Sequence, residues 1–134
     1  MSIAIDTHVL VRLLVRDDEG QFAAASRMIG KAAEAEEQVL ILPGVLLETE
    51  WVLRSRYRLD KASIFGAMTA LLESSDVEFE HAPTVEETLY VWAQHPDADF
   101  ADCLLSARAA QLGCNRFMTF DIRAARLPGV ELLA

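Results

Sequence analysis

Short runs of strand-forming residues alternate along this chain with longer stretches of helical periodicity, and no other feature limits the fold so tightly. Ile3-Ala4-Ile5 reads as a brief strand, and the stretch from Thr7 to about Arg16 as a helix. An alanine-rich helix is expected from about Glu19 to Glu37, followed by a strand over Val39-Leu40-Ile41-Leu42. Pro43 suits the first turn of the next helix, which runs through Trp51 to about Tyr57. Asp60 is placed to cap a helix reaching about Ser74. Val77-Glu78-Phe79-Glu80 alternates apolar and acidic residues, as an edge strand does. Thr84, with Glu87 three residues on, has the form of a capping box for a helix to about Gln94. Asp99 to Leu112 is helical and Gly113 is positioned to end it. Arg116 to Phe120 reads as a strand, then comes a short helix, and Val130 to Leu133 is the last strand. Strands separated by helices imply an α/β fold with a mostly parallel sheet covered on both faces. No repeat, low-complexity tract or linker interrupts residues 1–134, so a single domain is expected.

The bulk properties fit a folded protein of the cytoplasm. The chain has 134 residues, 52% of them hydrophobic, and a domain of that size buries enough surface to need no staple. Its longest apolar runs fall well short of the roughly 20 residues a membrane helix requires. The opening MSIAID lacks the basic and apolar segments of a secretory signal. Cys103 and Cys114 have no CxxC spacing, and His8, His81 and His95 have no zinc-type spacing, so neither a bridge nor a structural zinc is expected. The net charge of −9 argues against a broad basic surface for nucleic acid. It is compatible with acids held in a metal site, or with a basic partner protein.

Four acids stand where chemistry could use them. Asp6 directly follows the first strand and Asp121 directly follows the Arg116–Phe120 strand; in open parallel sheets, sites form beyond such carboxyl ends. Each is equally placed to cap the helix that follows. Glu48 has Val45, Trp51 and Val52 as its helical neighbours, which predicts a partly buried carboxylate without a cation beside it. Glu50, with Arg54 four residues on, is expected to be solvated or ion-paired. Asp102 falls in the first turn of a helix whose natural cap is Asp99, and the helix dipole alone accommodates an acid there. Together these acids form a set of like charges that a cation would have to offset. Hard oxygen ligands suit Mg²⁺ or Mn²⁺, and such an ion can generate a nucleophile from water and stabilise charge on a phosphoryl group. Phosphodiester hydrolysis is the reaction that fits. Thr119, two residues before Asp121, either orients a carboxylate or water or simply serves as a β-branched strand residue.

Four blocks, DTHVLVRLL, LLETEWVLRSRY, DFADCLLSARA and TFDIRAARLPGVELL, resemble PIN-domain ribonucleases, and within them the VapC toxins of type II toxin–antitoxin systems. The resemblance spans the whole chain in the right order. It implies a three-layer α/β/α sandwich around a parallel sheet and RNA cleavage with Mg²⁺ or Mn²⁺. The family's acidic quartet falls on Asp6, Glu48, Asp102 and Asp121, with Asp99 assisting and Thr119 at a position where a hydroxyl is common near the metal. The opening motif is usually Asp-Thr-Asn; here His8 replaces the amide, and a protonated imidazole would compete with the metal. The resemblance also implies a cognate antitoxin that inserts a basic side chain into the acidic pocket, a homodimer, and contact with DNA only through the antitoxin. Arg12 and Arg16, four apart on the first helix, either touch RNA or are solvated beside Asp17 and Asp18.

Two other readings compete. A weakened PIN-like scaffold would act mainly through protein binding, its acids serving as helix caps, and His8 favours that view. A receiver or haloacid-type phosphatase would need paired early acids and a late lysine; the only lysines are Lys31 and Lys61.

Overall fold

The computed structural model describes residues 2–134, as two compact units, residues 2–80 and 81–134. In the first unit, strand β1 (Ser2–Ala4) leads into helices α1 (Thr7–Leu14) and α2 (Glu19–Glu34), then strand β2 (Gln38–Ile41). Helices α3 (Pro43–Ser55) and α4 (Lys61–Glu73) follow, and strand β3 (Glu78–Phe79) closes the unit. The strands form a parallel sheet in the order β1-β2-β3, with Ser2 opposite Gln38 and Leu40 opposite Glu78. Parallel pairing requires crossovers, which α1–α2 and α3–α4 supply. The edge position expected for the Val77–Glu80 strand is the one β3 occupies.

Local chemistry sets the helix limits. Asp18 accepts from the backbone of Gln21 at 3.0 Å and Asp60 from that of Ser63 at 2.8 Å, each satisfying an orphan N–H of its helix. Pro43 stands at the start of α3, where its missing N–H costs nothing. Leu10, Val39, Ile41, Leu46, Leu53, Ile64 and Met68 are almost wholly buried.

The second unit holds α5 (Ala82–Gln94), α6 (Phe100–Gln111), β4 (Phe117–Thr119), a 3-10 turn at Ala124–Arg126 and β5 (Val130–Leu132). Strands β4 and β5 pair in parallel, Phe117 opposite Val130 and Thr119 opposite Leu132. All strand pairing among the described residues is therefore parallel, in a three-stranded and a two-stranded sheet. Trp92 of α5 meets Phe100 of α6 edge to face, ring centroids 5.0 Å apart, and its indole N–H donates to the Ala98 carbonyl at 3.1 Å. Gly113, at φ +89°, ends α6 as expected.

The capping box at Thr84 is a correction. Helix α5 begins two residues earlier, at Ala82, capped by His81 in the left-handed conformation. Pro83 in the first turn presets the helical backbone there, so Thr84 already lies inside the helix, buried, its N–H bonded to the His81 carbonyl at 2.9 Å. Among the described residues, no helix is long and apolar enough to cross a membrane.

Candidate active site

In the first unit, the carboxyl end of β1 delivers Asp6 to the N-terminus of α1. Its Oδ1 accepts from the Val9 N–H at 3.0 Å, so Asp6 caps the helix while remaining exposed. The next residue, Thr7, is 5% exposed, and its hydroxyl donates to Oε1 of Glu48 on α3. A residue three positions past β1 and one in the second turn of α3 are thereby tied. Glu48 itself is exposed, not partly buried.

The buried acid of α3 is Glu50, at 3% exposure. The buried positions of this helix are Leu46, Thr49, Glu50 and Leu53, spaced i, i+3, i+4, i+7 as a single inward stripe. Val45, Trp51 and Val52 surround Glu48 without burying it; Trp51 is 51% exposed. Apolar neighbours do not by themselves make a face internal. Of the two roles expected for Glu50, solvated or ion-paired, the structure shows the second, Arg54 Nε to Oε2 at 2.9 Å, with the carboxylate on the buried side of the helix.

In the second unit, Asp99 precedes α6 at the cap position without making a side-chain cap bond, and Asp102 lies in the first turn, half-buried. Asp121 follows β4. Its Oδ1 accepts from the N–H groups of Arg123 at 2.8 Å and Ala124 at 3.2 Å, while its own N–H donates to Thr119 Oγ1 at 3.0 Å. Thr119 thus fixes the backbone that presents the carboxylate. Burial, then the charges of Asp99 and Asp121, push the Asp102 carboxyl above the ordinary range.

A partly buried Asp102 with the charges of Asp99 and Asp121 acting on it bears on a cation. All-oxygen donors pressing on a partly buried carboxylate are the chemistry of Mg²⁺ or Mn²⁺. Among the described residues, no group of three or more carboxylate, histidine or cysteine side chains is already gathered as a metal cage. Mg²⁺ does not require one, since it keeps several waters and takes one or two carboxylates. The donor set fits.

The sequence comparisons bear on the same residues. The PIN domain family model matches residues 3–130. The chain belongs to the PIN-domain family. It is also 21% identical over 123 residues to a VapC ribonuclease of Aquifex aeolicus, covering 92% of this chain and 90% of that protein. The α/β fold with parallel strands is that of a PIN domain.

Other residues singled out in this PIN domain fall into place locally. His8 is exposed in the first turn of α1 and, with Asp6, lines a groove of about 380 Å³ alongside α2. Arg12 hydrogen-bonds the Tyr57 hydroxyl at 2.9 Å and reaches Asp17 at 3.4 Å. Arg16 pairs with Glu19 at 3.1 Å and lies over the Phe22 ring at 4.1 Å. Both guanidinium groups are engaged by the protein's own side chains. Sequence reasoning passed over Arg123 and Arg126, whose signal was visible: two arginines three apart directly after Asp121.

Proposed function

We propose that this PIN domain is a divalent-metal-dependent endoribonuclease, the toxin of a toxin–antitoxin pair. The single observation that carries the reading is the family match, which runs through all the proposed acids; burial and the charges of Asp99 and Asp121, which push the Asp102 carboxyl up, are consistent with it. Asp6, Glu48, Asp102 and Asp121 would hold Mg²⁺ or Mn²⁺, with Asp99 in support. The ion, when bound, would lower the pKa of a water and offset charge on the scissile phosphate. The chain's own contribution is orientation. Thr7 steers Glu48 through its hydroxyl, and Thr119 with the Arg123 and Ala124 amides fixes Asp121. Both devices leave one carboxylate oxygen engaged and the other to face a ligand. The relative named a VapC ribonuclease supports RNA as the substrate and an antitoxin as the partner. A cytoplasmic homodimer, meeting DNA only through that antitoxin, completes the proposal, and in it residues 1–134 act as one catalytic domain.

The test is cleavage of total RNA by the purified protein with Mg²⁺ or Mn²⁺, against a chelator control and the variants Asp6→Asn and Asp121→Asn. Cleavage should vanish in the chelator and in both variants. Undiminished cleavage in both variants would defeat the reading. No cleavage by the wild type, together with no change in melting temperature in millimolar Mn²⁺, would leave the scaffold reading favoured by His8.

A further inference from the structure

An acidic protein that binds RNA must concentrate its few cations where the phosphates run. Twelve basic residues face 21 acids in this chain. Arg12, Arg16, Arg54 and Arg116 are taken up by Asp17, Glu19, Glu50 and Glu131. Arg123 and Arg126 are not, and neither are Arg27, Arg56 and Arg58: all five are exposed, and none of their guanidinium groups has a hydrogen-bond or ion-pair partner among the described residues. What sets Arg123 and Arg126 apart is that they stand together. Arg123 caps the 3-10 turn and Arg126 ends it, and in such a turn side chains three apart eclipse one another. Accordingly both line one cavity of about 120 Å³, together with His95, Asp97, Ala98 and Leu127. Asp97 lines it without pairing with either arginine.

The turn that carries them is the one that fixes Asp121. The Arg123 N–H donates to Asp121 Oδ1 at 2.8 Å, and the Leu127 N–H donates to the Ala124 carbonyl at 3.0 Å. Carboxylate and arginines therefore belong to one hydrogen-bonded segment of seven residues. From this we infer that Arg123 and Arg126 grip a phosphate of the RNA strand next to the bond being cut, setting how the substrate lies against Asp121. The inference rests on the nuclease reading above. Guanidinium groups match phosphate oxygens in a bidentate fashion, and the cavity has room for a phosphate group but not for a helix. Asp121 does not itself line the cavity; what favours a phosphodiester over an acidic peptide is the hydrogen bond that ties the Arg123 backbone to the Asp121 carboxylate.

The experiment measures binding of a fluorescent single-stranded RNA in EDTA over a salt series, using the whole protein. The double variant R123Q/R126Q should bind about tenfold more weakly at low salt, the loss of a charge-assisted contact or two. Its slope of log affinity against log salt should be shallower by about 0.7 to 1.4, one unit of counterion release per phosphate contact. R123K/R126K should recover most of the slope and less of the affinity. In metal, KM should rise with kcat little changed. The single variant Arg126→Gln, with circular dichroism, keeps the test decisive if the double variant misfolds. Unchanged affinity and slope in variants that fold would overturn the inference, as would loss of binding to polyglutamate but not to RNA, which points to a protein partner. Arginine-dependent RNA binding by a wild type that cleaves nothing would sink the nuclease reading and leave the phosphate grip standing.

Discussion

The hydroxyl of Thr7 donates to the carboxylate of Glu48, joining the first residue of α1 to α3. The donor is buried and the acceptor exposed, so the bond aims an otherwise mobile side chain from a fixed base. Thr7→Val keeps the shape and removes the donor. Stability should fall by about 1 kcal/mol, below the usual cost for a bond to a charged group because Glu48 remains open to water. RNA cleavage should fall by a larger factor than the stability loss explains. Urea unfolding and cleavage assays on the same preparation check this; equal cleavage by the variant would detach Thr7 from catalysis.

Asp102 gives a pH dependence. Its folded pKa is raised by burial and by Asp99 and Asp121. The native state therefore holds the proton more tightly than the unfolded chain, and stability declines as pH rises from the unfolded value through the folded one. At neutral pH without metal, the ionised group is a net cost. Asp102→Asn should accordingly raise the melting temperature of the metal-free protein at pH 7 and flatten its slope above pH 4. The same change should erase the stabilisation that Mn²⁺ gives the wild type. A lower melting temperature for the variant in EDTA would contradict the account.

Asp60 runs in the opposite sense. Hydrogen bonds from the Ser63 side chain and backbone lower its pKa, so its contribution is present above the unfolded value and is lost as pH falls through the folded one. Asparagine caps a helix about as well as aspartate. Asp60→Asn should leave stability at pH 7 little altered and soften the acid limb of the unfolding curve. Melting temperatures at pH 7 and pH 3 decide the matter.

The pair on α3 predicts an asymmetry. The Glu50 side chain is 4% exposed and that of Arg54 is 55% exposed. Removing the arginine leaves a carboxylate inside, whereas neutralising the acid leaves a cation that water already reaches. Arg54→Met should cost about 2 kcal/mol, and Glu50→Gln about 1 kcal/mol. Equal costs in urea unfolding would mean that water reaches Glu50 as freely as it reaches Arg54.

Much of this fold could be read from the residues, because the strongest signals were local. Asp60, Pro43 and Gly113 mark boundaries by their own chemistry, and the structure places helix ends beside each. Alternation of strands and helices correctly implied parallel pairing. Two readings failed where local evidence was ambiguous. Thr84-x-x-Glu87 has the letters of a capping box, but Pro83 starts the helix first. Glu48 has apolar neighbours, yet the inward stripe runs through Leu46, Thr49, Glu50 and Leu53; its phase follows from packing, which the neighbours of one residue do not report. The sequence singled out the acids as positions at element starts, and the structure shows what holds Asp6 and Asp121 locally. The supports of the site, the Thr7 hydroxyl and the amides that hold Asp121, depend on contacts that only the folded chain reveals.

The division of labour along the chain has a temporal side. Strands β1 to β3 and the Thr7–Glu48 bond lie within the first 80 residues, while Asp102, Asp121 and the β4–β5 pair lie within the following 54. Ribosomes would need about 3 to 11 s to add that remainder. A nascent chain consequently displays Asp6 and Glu48 for seconds before it owns the rest of the acids, and Thr119 meets Leu132 only as the final residues emerge. Under the reading proposed above, a copy that ends before Asp102 and Asp121 would lack half of the acids proposed to hold the ion.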